Sequence, residues 1–185
     1  MKLIENIKNS IGRRKIDKIL LSNKRRIKVV NYSNAKSIGI VYPVSTTDYQ
    51  DFINNFIDYL REDIGFKSIV ALGYCDSKEI PNFIINQSLK YQYFTKKDLD
   101  FANFGKSKQV NDFVKEDFEI LIDFSRDFIT PIKHIVASSK SGFKIGRHSS
   151  ENEKYFDFMV DMDKTAPVSQ FIKQVNTFLK QVKPK

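Results

Sequence analysis

The chain has 185 residues, 41% of them hydrophobic and 13% aromatic. That length fits one domain able to bury a core without disulfide staples, and the composition excludes a disordered chain. The formal net charge is +9, and eight of those charges lie in residues 1–28, where ten Lys and Arg face two acids. The remaining residues carry 21 basic and 20 acidic side chains, a nearly neutral body behind a basic N-terminal segment. Such segregation points to an anionic partner: RNA, DNA or a membrane surface.

Cys75 is the only cysteine, so no disulfide can form within the chain. The opening residues Met1 to Asn6 contain no uninterrupted apolar stretch of the secretory kind. Both readings lead to the expectation of a cytoplasmic protein. No apolar run approaches the ~20 residues of a spanning helix.

Residues 1–28 read as a basic helical segment, and 29–185 as an α/β domain. Leu3, Ile4, Ile7 and Ile11 share one helical face. After Gly12 the apolar positions become Ile16, Ile19 and Leu20, which point to nearly the opposite side. Either the helix breaks near Gly12-Arg13-Arg14 or its two halves meet different surroundings. Arg14, Lys15 and Lys18 fall opposite Ile16, Ile19 and Leu20, on an exposed basic face.

Residues 27–31 predict a short strand. Ser37–Val44 is almost continuously apolar, as expected of a strand covered on both faces. Thr46 or Thr47 caps the next helix, whose stripe runs Tyr49, Phe52, Ile53, Phe56, Ile57, Leu60, Ile64, with Gly65 at its end. Ser68–Tyr74 is the next apolar strand. The stretch from Cys75 to Val114 is less legible: Tyr91–Phe94 reads as a strand, and Lys97–Phe104 as a short helix or irregular lid. Phe118–Phe124 is a strand, 129–139 a helix with Pro131 in its first turn, and 143–146 and 155–162 further strands. A last helix has Thr165 as cap and the stripe Val168, Phe171, Ile172, Val175, Phe178, Leu179, Val182. The alternation predicts a single three-layer α/β sandwich around a mainly parallel, Rossmann-like sheet. Ser37–Val44, Ser68–Tyr74 and Phe118–Phe124 should be its central strands, and the helices at 48–63 and 168–182 should cover its faces.

In such sheets ligands bind beyond the carboxyl ends of the strands. That rule selects Thr46, Thr47, Asp76, Ser125, Arg126 and His148 as a possible pocket, with Arg147 and Ser149 beside them. The same Ser, Thr and Asp types also serve as helix caps. No GxGxxG or Walker sequence occurs, so no cofactor is expected. His134 and His148 lack metal-ligand spacing to Cys or carboxylates, and no metal is expected. Asp161 and Asp163 lie two apart at a strand end without other ligands to complete a site. His134 sits among apolar helix residues and reads as packed. Cys75 precedes Asp76, whose charge would raise the thiol pKa rather than activate it.

The ordered features Ser-Ile-Gly-Ile-Val-Tyr-Pro, Phe-Glu-Ile-Leu-Ile-Asp-Phe, His-Ile-Val-Ala-Ser-Ser-Lys-Ser-Gly-Phe-Lys-Ile-Gly and Tyr-Phe-Asp-Phe-Met-Val-Asp carry a resemblance. Together with the basic N-terminal helix they look like an uncharacterised family of small Bacteroidetes proteins. The resemblance spans nearly the whole chain and implies no activity. Phe118–Gly146 alone is similar to the N-terminal half of heptosyltransferase-like glycosyltransferases. Those enzymes need a second domain for the sugar nucleotide, and no catalytic residue is carried over.

The sequence therefore leads to a non-catalytic binding protein. Its segment bearing Arg13, Arg14, Lys15, Lys18, Arg25 and Arg26 would contact an anionic partner, with RNA or a ribosome favoured. The alternatives are a small enzyme or ligand-binding domain using the strand-end pocket, and peripheral attachment to a membrane.

Overall fold

The near-unbroken apolar run Ser-Ile-Gly-Ile-Val-Tyr-Pro-Val forms β1 (Ser37–Val44), and its two faces are covered by different helices. The computed structural model describes residues 2–85 and 91–183, with side chains described for residues 6–84 and 91–183. Six strands follow one another in space in the order β3-β2-β1-β4-β5-β6, all parallel. The others are β2 (Ser68–Cys75), β3 (Tyr91–Thr95), β4 (Ile120–Asp123), β5 (Phe143–Arg147) and β6 (Phe158–Val160). The three strands predicted as central, β1, β2 and β4, lie in the interior of the sheet.

Alternation along each strand divides the core. Ile38, Ile40 and Tyr42 of β1, with Ile120, Ile122, Phe143 and Ile145, pack under α2 (Thr47–Glu62) and α6 (Val168–Gln181). Val41, Leu72 and Leu121 face the other layer, made by α1 (Lys2–Ser22), α4 (Lys108–Lys115) and α5 (Thr130–Ser138). The helices predicted to cover both faces, α2 and α6, thus share one face. A single turn, α3 (Asn82–Ile85), precedes β3, and a 3-10 turn at Lys96–Asp98 follows it. Residues 27–31 form no strand. They run as coil with Ile27 and Val29 exposed and Val30 buried, held by the Lys28 amide donating to the Gly142 carbonyl at 3.0 Å.

α1 is one unbroken helix, and of the two readings of its rotated stripe the second holds. Ile16 is fully buried with Ile19 and Leu20 partly so, while Ile7 on the opposite side is 48% exposed. Leu3 and Ile4 have side chains outside the described set. Gly12 does not break the helix; it lets the helix come close. A β-carbon there would stand 2.5 Å from the Ala102 carbonyl oxygen and 2.7 Å from the Thr130 methyl. Just beyond the helix, the Asn23 amide donates to the carbonyls of Ala137, Ser138 and Ser139 at 2.7, 3.2 and 2.9 Å. It thereby caps the C-terminal end of α5, whose last carbonyls have no partner within their own helix.

Two substitutions test this docking. Gly12→Val should cost about 1–3 kcal/mol, because the Ala102 backbone cannot give way as a flexible side chain could. Asn23→Ala, which leaves the α5 carbonyls short of a donor, should cost about 1–3 kcal/mol. Urea denaturation measures both.

Candidate functional site

In a sheet of order 3-2-1-4-5-6 the strands part between β1 and β4, and ligands bind at their carboxyl ends there. The local sequence widens this gap. The Phe124 amide donates to the Val41 carbonyl at 2.9 Å, the last such bond between the two strands. Two residues on, the same edge of β1 is Pro43, which has no N–H to give. The pairing stops and the strand ends separate.

On the α1/α5 side a cleft of about 400 Å³ opens over the ends of β1 and β2. Pro43, Val44, Tyr74 and Asp76 form its floor, and Phe128 to Pro131 at the start of α5 form one wall. Lys8 and Asn9 of α1 and the turn from Lys96 to Asn103 close it. That volume falls within the range of small-molecule sites. The Asp76 carboxylate accepts from the Tyr74 hydroxyl at 3.0 Å and pairs with the Lys96 ammonium at 2.9 Å. Asn9 accepts from the Asn103 amide at 2.8 Å and the Thr130 hydroxyl at 3.0 Å, joining α1, the turn and α5 at the cleft's base. Lys8 lies 5.7 Å from the Phe101 ring centre at the rim.

Of the residues predicted to share a pocket, this cleft takes Asp76. Thr46 caps α2 by accepting from the Tyr49 amide at 3.2 Å, and Thr47 begins that helix, exposed. His148 is 43% exposed, 3.7 Å from Asp161 and 4.0 Å from Glu153. Ser125 is buried and Arg126 turns toward the segment before α6, with an Nη2 to Ala166 carbonyl contact of 3.5 Å. The strand-end rule gathers residues at one end of the sheet, but the sheet itself then divides them between its two faces.

The buried charges lie close by. Asp123 closes β4 toward α5, where its Oδ2 accepts from the Lys133 ammonium at 2.7 Å and its Oδ1 from the Ser125 amide at 2.7 Å. Both side chains of this pair are 1% exposed. Lys144, one residue off the Phe143/Ile145 face, reaches the Val136 carbonyl of α5 at 2.5 Å. Burial pushes its pKa down to about 7; the charge of Arg25 lowers it further and Asp157 opposes this. Arg147, on the α6 face, is 5% exposed and donates through Nη2 to the Ala166 and Pro167 carbonyls at 3.3 and 3.5 Å. Sequence reasoning passed over the Asp123–Lys133 pair and Lys144. Their signal was a charged residue inside an otherwise apolar strand or helix.

The ordinary reactive groups are quiet. Burial pushes the Cys75 thiol up to about 11 and His134, stacked on Phe104 at 4.0 Å, down to about 4. Neither is set for nucleophilic or acid–base work at neutral pH. Among the described residues no group of three or more His, Cys, Asp or Glu could hold a metal ion.

The basic segment divides as well. Arg25 is turned inward: its Nη2 meets Asp157 at 2.5 Å, its Nη1 the Ser141 carbonyl at 3.1 Å, and its side chain is 14% exposed. It is part of the fold's framework rather than a free contact. Arg13 pairs with Glu151 at 2.8 Å and covers the Phe128 ring at 3.9 Å. Arg14, Lys15, Lys18 and Arg26 are exposed, as are Lys24 and Lys28, and none makes an ion pair among the described residues. Among these residues no helix is long and apolar enough to cross a membrane.

The fold and its strand-end cleft place the protein among doubly wound α/β proteins with a parallel sheet. More narrowly, the model of a family of unknown function, DUF6913, matches residues 8–182, and the chain belongs to that family. No curated protein and no solved structure matches the chain.

Lys144 supplies a pH test. The unfolded chain holds this proton up to the ordinary 10.5, while the folded protein gives it up near 7. Across that interval the unfolded state binds more protons, so stability should rise with pH, by up to about 1.4 kcal/mol per unit. The rise should end near the ordinary thiol value of 9, because burial raises Cys75 in the folded state and offsets the slope, and above the ordinary tyrosine value of 10 the raised Tyr32, Tyr42 and Tyr49 reverse it. Denaturation midpoints at pH 7 to 9 should show this slope in the native sequence and a flat line in Lys144→Met.

Proposed function

We propose that this is a binding protein that meets an anionic macromolecule, RNA in preference to DNA or a membrane, through the outer surface of α1 and the coil after it. The observation that carries this reading is the orientation of α1. Its inner side is fixed by Ile16, Gly12 and Asn9. Arg14, Lys15 and Lys18 are consequently held in solvent without acidic partners, and Arg26 continues the row beyond the helix. A rigid row of unpaired cations suits a phosphodiester backbone, where each contact releases a counterion. The cations extend past the helix end along an irregular coil, which favours a polymer tracked along its length over the flat interface met by an amphipathic helix. Among the described residues no RNA-recognition aromatic pair occurs on the sheet, so contact through backbone charge fits better than base reading.

Replacing Arg14, Lys15, Lys18 and Arg26 by Gln should weaken RNA binding while leaving the fold intact, since exposed substitutions usually cost within about 0.5 kcal/mol. In the native sequence, log affinity should fall linearly with log salt, and the slope should shrink by up to about 0.7 per phosphate contact removed from a single strand. Fluorescence anisotropy with a single-stranded RNA measures both. Vesicles of anionic lipid that compete as well as RNA would favour the membrane reading. Affinity unaltered by the four substitutions would remove the proposal.

A further inference from the structure

We propose that Arg126 and Arg147, together with the Ser125 hydroxyl, form a binding site for the phosphate group of a small ligand at the carboxyl ends of β4 and β5. This site is separate from the outer face of α1 and lies on the opposite side of the sheet from the cleft that contains Asp76. The Nη2 atoms of both arginines converge on one acceptor, the carbonyl oxygen of Ala166, at 3.5 and 3.3 Å. Two like charges brought to one neutral oxygen repel each other unless an anion stands between them. No acid lies within 4.0 Å of either guanidinium among the described residues.

The neighbouring acids do not fill that role. Asp123 has both oxygens engaged, by Lys133 and by the Ser125 amide. Asp127 is near enough to act on Arg147 through its field but makes no ion pair with it. Arg147 is 5% exposed, yet its Nε and Nη1 have no protein acceptor, and Ser125, 1% exposed, has an unpartnered Oγ. Buried donors of this kind are costly when unsatisfied, and a guanidinium most of all. Here three of them come from adjacent strand ends.

The surroundings suit an anion. The Arg147 guanidinium lies over the Phe171 ring, 5.3 Å from its centre. The Tyr49 hydroxyl donates to the Phe124 carbonyl at 2.7 Å, and the charges of Arg147 and Arg126 both act on it, so it stands beside the pair. Tyr49 also belongs to the first turn of α2, whose N-terminus favours negative charge. Arg126 is exposed and Arg147 buried, so the pair leads from the surface inward. Two planar forks and one hydroxyl match a tetrahedral dianion better than a single carboxylate.

Binding of inorganic phosphate to the full chain, measured by equilibrium dialysis at constant ionic strength, tests the assignment. The native sequence should bind one phosphate saturably, and an equal concentration of chloride should not displace it. Arg126→Gln, an exposed change that spares the fold, should weaken binding about ten-fold or more, the loss expected of one charged hydrogen-bonding partner. Arg147→Gln should do the same, with its melting curve checked for folding. Lys67→Gln, at the amino end of β2, should leave the affinity as it was. No saturable binding, or equal binding in the Arg126→Gln protein, would overturn the site. RNA binding enters none of these readouts, so the two proposals can fail independently.

Discussion

α5 is buried along most of its length, and that constraint shapes the rest of the molecule. It lies between the sheet and α1, with Thr130, Pro131, Ile132, Lys133, Ile135, Val136 and Ala137 all buried. A nine-residue helix in this position cannot leave its last carbonyls to water. They have a protein partner, whereas the start of the helix is fixed through a side chain. Asn9 meets the Thr130 side chain at the start, and Asn23 takes the last three carbonyls at the finish. Both come from the α1 region, fourteen residues apart, a span of ~21 Å at 1.5 Å per residue, sufficient to bracket the shorter helix. The N-terminal segment is thus a clamp on α5, and Gly12, one turn beyond Asn9, permits the close approach at Thr130 and Ala102.

The same burial explains the charged groups inside the fold. Lys133 points from α5 to the sheet and needs the Asp123 carboxylate; Lys144 points from the sheet to α5 and finds the Val136 carbonyl. The two arrangements differ in kind. The first is an ion pair with both partners satisfied, supported by the Phe156 ring 4.6 Å from the ammonium. The second is a cation without a buried carboxylate in contact, and its protonation is correspondingly easy to lose. Removing one member of such a pair is costly, whereas replacing both by apolar groups can be neutral. The Asp123–Lys133 pair is therefore no measure of net stability, but it ties α5 to the end of β4.

Much of this architecture was legible in the sequence because burial leaves a periodic trace. The stripe from Tyr49 to Ile64 and that from Val168 to Val182 are long and one-sided, and α2 and α6 follow them closely. The short α4 is half polar and left no clear trace among the residues between Cys75 and Val114. Residues 27–31 carry the composition of a strand, but Lys28 and Tyr32 bond to Gly142 and Leu179 rather than to a strand, so no ladder forms. Near the cleft, the strand-end rule gathers Thr46, Asp76, Ser125 and Arg126 at one end of the sheet, its carboxyl end. It could not say on which face each would emerge, because that depends on the residue at which each strand stops. Asp123 ends β4 facing α5, whereas Arg147, at the end of β5, faces α6.

The charge asymmetry of the chain also changes meaning once α1 is docked. Sequence alone treats the cations of residues 1–28 as one group, but the fold sorts them by environment. Arg25 is half-buried and has Asp157, whose other oxygen accepts from the Lys144 amide, so one carboxylate ties the coil to β5. Arg13 and Asp17 face Glu151 and Lys154 in exposed pairs worth little to stability. Lys8 lies half-buried beside the Phe101 ring, and Arg14, Lys15, Lys18, Lys24, Arg26 and Lys28 are exposed and without an ion pair among the described residues. In water their mutual repulsion is screened over ~8 Å at physiological salt, so the folded chain tolerates them at small cost. Their field still adds at longer range, in the direction that α1 faces. The clamp on α5 thus sets the direction of that field, because the contacts that bury Ile16 and Asn9 leave Arg14 and Lys18 no orientation except outward.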